Sequence, residues 1–128
     1  MVIPDITILY AGLLGLLSIP LGAAAGTYRG KAGIDAGDGG DAELMMRMRR
    51  HANFVENVPL ALILIALLEM QGVSSLAIHI LGGAVVLGRV LHAATFHQGV
   101  KSIARGLGAG LTMLPVAVAS VWGIVTFF

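Results

Sequence analysis

Apolar residues gather into four long stretches along the chain, approximately residues 6–28, 44–70, 76–96 and 106–128, divided by short polar connectors. Each stretch approaches or exceeds the roughly 20 residues needed to cross a hydrocarbon core about 30 Å thick. None shows the period-two alternation of a membrane barrel strand, so the predicted elements are helices, which satisfy their own backbone in lipid. The pattern predicts an all-α fold, a transmembrane four-helix bundle forming a single domain over residues 1–128. No basic segment precedes the first stretch, so a cleaved leader is not expected.

The connector at residues 30–41, GKAGIDAGDGGD, is too rich in glycine and aspartate to pack and reads as a solvated, mobile loop. Asp41 stands where a cap for the second helix is needed, with Glu43 in the first turn. Gly15, Ser18, Gly22 and Gly26 share a face of the first helix, and Gly106 and Gly110 are four apart in the fourth. Such small residues either allow close helix approach or reflect the ordinary abundance of glycine in membrane helices. Gly106-x-Gly108-x-Gly110 follows no strand and is not a dinucleotide-binding signature.

Composition strengthens this picture. Of the 128 residues 57% are hydrophobic and 12% charged, and mean hydropathy is +0.91, whereas soluble domains carry about 25% charged residues. Having no cysteine, the protein supplies no disulfide, thiolate metal ligand or catalytic thiol. A net charge of +1 gives no argument for nucleic acid. The placement of the basic residues is more telling. Arg29 and Lys31 follow helix one, Arg47, Arg49 and Arg50 open helix two, and Arg89, Lys101 and Arg105 lie in or after the second half of helix three. The turn at residues 71–75 has no basic residue. The positive-inside rule therefore predicts cytoplasmic first and third loops and external termini.

Within helix two, Arg49-x-x-x-Asn53-x-x-Glu56 precedes Pro59. At about 100° per residue, offsets of four and seven return to nearly the same face. Ionisable groups at membrane depth are costly unless they face protein or water, so this stripe reads as the wall of a polar site. Arg49 and Glu56 are about two turns apart, too far for an ideal direct contact, and could hold a zwitterionic ligand between them. The alternative is a helix-to-helix ion pair of Glu56 with Arg89 or Arg105. Pro59 frees the Val55 carbonyl and would kink the helix.

Arg89 and His92 are expected to line the bundle interior, and His79 to be structural. The four histidines, His51, His79, His92 and His97, have no i, i+4 pairing that suggests a metal site. Arg47 reads as an interfacial anchor and Tyr28 as a belt residue. Met45, Met46, Met48 and Met70 read as packing or lipid-facing. Arg29 and Arg105 stand at the level of the stripe, where an arginine fork suits a carboxylate.

The run Arg49-Arg50-His51-Ala52-Asn53-Phe54-Val55-Glu56-Asn57-Val58-Pro59-Leu60, opening the second of four helices, resembles the hallmark of the membrane-associated proteins in eicosanoid and glutathione metabolism, in their bacterial branch. The resemblance covers essentially the whole chain. It implies a homotrimer in a bacterial inner membrane, with sites between subunits opening toward the cytoplasm. It also implies glutathione as co-substrate and a lipophilic electrophile or lipid hydroperoxide as the second substrate, entering from the membrane lipid. Carried over by position, Arg49, Asn53, Glu56 and Arg29 would bind glutathione, and Arg105 would be the catalytic arginine that stabilises its thiolate. Eukaryotic members commonly place tyrosines where this chain has Asn57, Phe96 and Val100. The competing expectation is a non-catalytic membrane protein whose stripe holds the oligomer together or binds anionic lipid. A small transporter is weaker, since no inverted repeat is visible.

Overall fold

The computed structural model describes residues 3–95 and 103–128. The described residues form four helices, α1 (Asp5–Ala32), α2 (Ala42–Met70), α3 (Ser75–Thr95) and α4 (Ile103–Val125), without a strand. All four are long and apolar enough to cross a membrane. The shortest, α3, has 21 residues and is therefore about 32 Å long.

Local chemistry sets the helix ends. Asp41 caps α2, its Oδ1 accepting from the Leu44 amide at 2.8 Å, as the sequence leads one to expect. Helix α1 runs on past Tyr28, so Gly30, Lys31 and Ala32 are helical and the loop is shorter than its glycines suggest. Its terminator is Gly33, at φ 67°. The amide of Ile34 returns to the Arg29 carbonyl at 3.2 Å and that of Gly33 to Gly30 at 3.3 Å, a left-handed C-terminal cap suited to glycine. Helix α4 begins earlier than the apolar pattern suggests, at Ile103.

Buried residues in α2 recur at alternating spacings of four and three: Phe54, Val58, Ala61, Ile65 and Leu68. Helix α3 repeats this through Ile78, Leu81, Val85, Gly88 and His92, and α4 through Gly108, Thr112, Pro115 and Ala119. This is the seam of near-parallel or antiparallel helices. Helices α2 and α3 touch each other and both of the others, whereas α1 and α4 do not meet. The first and last helices thus flank a central pair. Two faces of the chain remain apolar and open, with Leu16, Ile19, Leu60 and Ile63 among their exposed residues.

Small residues decide the tightest approach, though not those of the two glycine stripes. Gly15, Gly26, Gly106 and Gly110 have nothing within 4 Å of a Cβ position among the described residues, while Gly22 lies under the His51 ring. The α3–α4 crossing rests instead on Gly88 and Gly108. A Cβ at either would stand 2.8 Å from the other's carbonyl oxygen. Gly82 likewise lies flat against the Tyr10 ring, whose hydroxyl bonds to His79 Nδ1 at 2.9 Å and donates to the His79 carbonyl at 3.1 Å. His79 is structural, as its position implies.

The termini end of the bundle holds a carboxylate that sequence reasoning passed over. Glu69, only 5% exposed, reaches from the last turn of α2 to the start of α1. Its oxygens accept from the amides of Ile6 and Thr7, each at 2.8 Å, and from the Thr7 hydroxyl at 2.6 Å. Pro4 at the α1 N-cap offers no side-chain cap, so Glu69 satisfies amides that the local sequence leaves unpaired. It also brings negative charge to the positive end of the helix dipole.

Candidate functional site

The opposite, basic end gathers the C-termini of α1 and α3 and the N-termini of α2 and α4. Its α1–α2 corner is closed by side chains. Tyr28 donates to Asp41 Oδ2 at 3.2 Å, and the Arg47 guanidinium lies 4.7 Å over the Tyr28 ring. Arg47 also pairs with Glu43 at 2.7 Å and donates to the Ala24 carbonyl at 3.3 Å. Arg47 and Tyr28 thus tie α1 and α2 together at this end. Met48 is more than packing, since its sulfur receives Arg29 Nη2 at 3.3 Å. A thioether is a weak acceptor and does not itself neutralise the charge of Arg29.

The stripe on α2 divides. Arg49 and Glu56 are exposed and Asn53 is half-buried. The geometric reason is simple. The seam from Phe54 to Leu68 centres about 140° round the helix from Arg49, so Arg49 and Glu56 turn away from the chain's own core. Neither has a polar partner among the described residues. Pro59, inside α2, is also exposed and does not end the helix.

Asn53 joins the interior. Its Oδ1 accepts from Arg89 Nη1 at 2.8 Å, and its backbone carbonyl lies 3.4 Å from the same nitrogen. That carbonyl also accepts from Asn57 Nδ2 at 2.7 Å. Arg89, 2% exposed, donates through Nε to Thr112 Oγ1 at 2.8 Å. The Thr112 hydroxyl donates on to the Gly108 carbonyl at 3.1 Å. Arg89 therefore lines the interior as expected, but its partners are Asn53 and Thr112 and not Glu56. One network links α2, α3 and α4.

Beside it, His92 is buried on α3 against the Gly108 backbone. Arg89, Arg105 and Arg50 surround this imidazole closely enough to act on it electrostatically. Arg105 thereby stands in the first turn of α4 at the level of His92, half-buried. Such a concentration of guanidinium groups favours an anion at this end. Among the described residues no three His, Asp or Glu side chains converge on one point. Phe96, His97, Val100 and Lys101 lie outside the described residues.

Among the polar residues that sequence reasoning passed over are Glu69 and Thr112. A lone carboxylate ending an apolar run signals the first. Thr112 shows itself only as a hydroxyl one turn after Gly108, a weak signal. A cavity of about 560 Å³ lies at the other end between α2 and α4, lined by Leu64, Leu68, Ala119 and Phe127 among others. It holds none of the candidate residues.

The sequence resembles the inner membrane protein YecN of Escherichia coli strain K12, 32% identical over 119 residues and covering 91% of each chain. The YecN of E. coli O6:H1 matches to the same extent. The profile of the MAPEG family matches residues 7–125, from the first turn of α1 to the last of α4. Since this match runs through all four spans, the chain is a multi-pass integral membrane protein and belongs to the MAPEG family.

Proposed function

We propose that the protein is a homotrimeric, glutathione-dependent transferase or peroxidase of the bacterial inner membrane, acting on lipophilic electrophiles or lipid hydroperoxides. One observation carries this reading. Arg49 and Glu56 have no polar partner among the described residues and face away from the chain's own core, flanking an asparagine bonded into that core. A cation and an anion in that position fit a zwitterionic guest held between neighbouring subunits. Arg29, whose partner among the described residues is a thioether, adds a cation for a second carboxylate. Family membership supports the same choice of guest.

Arg105 stabilises the glutathione thiolate by lying beside the developing negative charge, the thiol proton passing to solvent. In transfer, the sulfur forms a bond to the electrophilic carbon as the leaving group departs with its electron pair. The lipophilic partner arrives laterally from the bilayer. The positive-inside rule supports a cytoplasmic basic end and external termini.

The deciding experiment is a glutathione titration of the detergent-purified protein, followed by thermal unfolding. A ligand at a hundred times its Kd stabilises by about 2.7 kcal/mol, a readily measured rise in Tm. Wild type should show the rise, and Arg49→Ala and Glu56→Gln should lose it. No shift for wild type at millimolar glutathione rejects the reading.

A further inference from the structure

We propose that Arg89 is a positioning residue that fixes the side-chain amide of Asn53, so that Asn53 meets the ligand as a hydrogen-bond donor. This rests on the glutathione reading above and adds a residue, and a polarity, to it. A guanidinium has donors only, so a group bonded to Arg89 Nη1 at 2.8 Å must present its oxygen. That settles which way the Asn53 amide is turned. Its oxygen points inward to Arg89, and Nδ2 points away, with no acceptor among the described residues.

Rotation of the amide is further opposed on both sides. Arg89 is itself held through Nε by Thr112, and Thr112 is tied to the Gly108 carbonyl at the tight α3–α4 crossing. On the other side the Asn53 carbonyl is engaged by Asn57 and approached by Arg89. A buried arginine whose partners among the described residues are all neutral is expensive to maintain if packing is its sole purpose. Here the charge strengthens its bond to the amide. A ligand on the outer face of α2 then meets donors at Arg49 and Asn53 and an acceptor at Glu56. Its acidic group belongs beside the first two and its amine beside the third.

The test measures glutathione affinity and Tm for full-length wild type, Asn53→Asp, Asn53→Ala, Arg89→Met and the Asn53→Ala/Arg89→Met double variant. Asn53→Asp is decisive because it keeps an oxygen for Arg89 and replaces the outward donor with an anionic acceptor, while Asn53→Ala removes the donor without adding charge. Asn53→Asp should retain or raise Tm while losing affinity on the order of tenfold. Arg89→Met should lose a similar factor, and the double variant no more than the weaker-binding single variant, since both act through one amide. Glutathione binding by Asn53→Asp at wild-type strength overturns the proposal, as do additive losses in the double variant. Should Arg89→Met not fold, Asn53→Asp decides alone. If wild type fails to bind glutathione, the glutathione reading falls and takes this inference with it; wild-type binding with Asn53→Asp unchanged rejects only the role of Arg89.

Discussion

Asn53 and Glu69 illustrate how a single polar residue is used when the surroundings are apolar. Each is satisfied across a helix boundary, Asn53 by Arg89 and Glu69 by the first amides of α1. A hydrogen bond to a charged group contributes about 1.5–3 kcal/mol, and a buried group left unpaired costs more than its bond was worth. Glu69→Gln replaces one acceptor oxygen with a donor facing a donor, and should lower stability by about 2–4 kcal/mol. Thr7→Val removes one bond of three and should cost about 1 kcal/mol. Thermal unfolding in detergent measures both; equal Tm values for Glu69→Gln and wild type would show the clamp to be incidental. At this scale the sequence was partly legible. Helical spacing brought Arg49, Asn53 and Glu56 to notice, and the seam from Phe54 to Leu68 was present to say that they turn away from the core. Glu69 was hidden because its partner is the backbone of a segment more than sixty residues away, which leaves no local trace beyond an uncapped helix start.

The existence of four helices was readable from apolar length alone, and their ends only where capping chemistry is specific. Asp41 announces a helix start through its side chain. Gly30 and Gly33 look alike in sequence, and the cap falls on the residue whose backbone turns left-handed. The glycines posed a harder problem. Gly106, Gly108 and Gly110 are equivalent in composition, yet Gly108 lies about 200° round the helix from either neighbour. Only the facing helix decides which of the two sides is used, and that information sits in Gly88, twenty residues earlier. Gly108→Ala or Gly88→Ala should separate α3 from α4 and cost about 1–3 kcal/mol, as overpacking does. Gly12→Ala, with nothing within 4 Å among the described residues, should stay within about 0.5 kcal/mol of wild type. Comparing their unfolding temperatures checks the assignment of the crossing.

For the whole molecule, the outward turn of Arg49 and Glu56 divides catalytic from purely cohesive roles. If the pair serves a guest, Arg49→Ala should remain a trimer in native mass spectrometry while losing the glutathione shift. If the pair holds subunits together, the same variant should fall to monomers. The cysteine-free chain also permits a clean test of orientation. Ala36→Cys, in the α1–α2 loop, should resist a membrane-impermeant thiol reagent applied to intact cells, and Ser74→Cys, in the α2–α3 turn, should react. The opposite labelling pattern would invert the topology inferred from basic residues. Family and span number were accessible from the residues alone. Assembly was not, because a surface that contacts a sister subunit and one that contacts lipid are equally apolar.

The grip of Glu69 on Ile6 and Thr7 has a practical corollary for anyone handling the protein. A fusion partner attached upstream of Pro4 leaves that grip intact. Trimming the leading segment beyond Thr7 would leave the buried Glu69 carboxylate without those partners, and the preparation should lose stability for a reason unconnected with the basic end of the bundle.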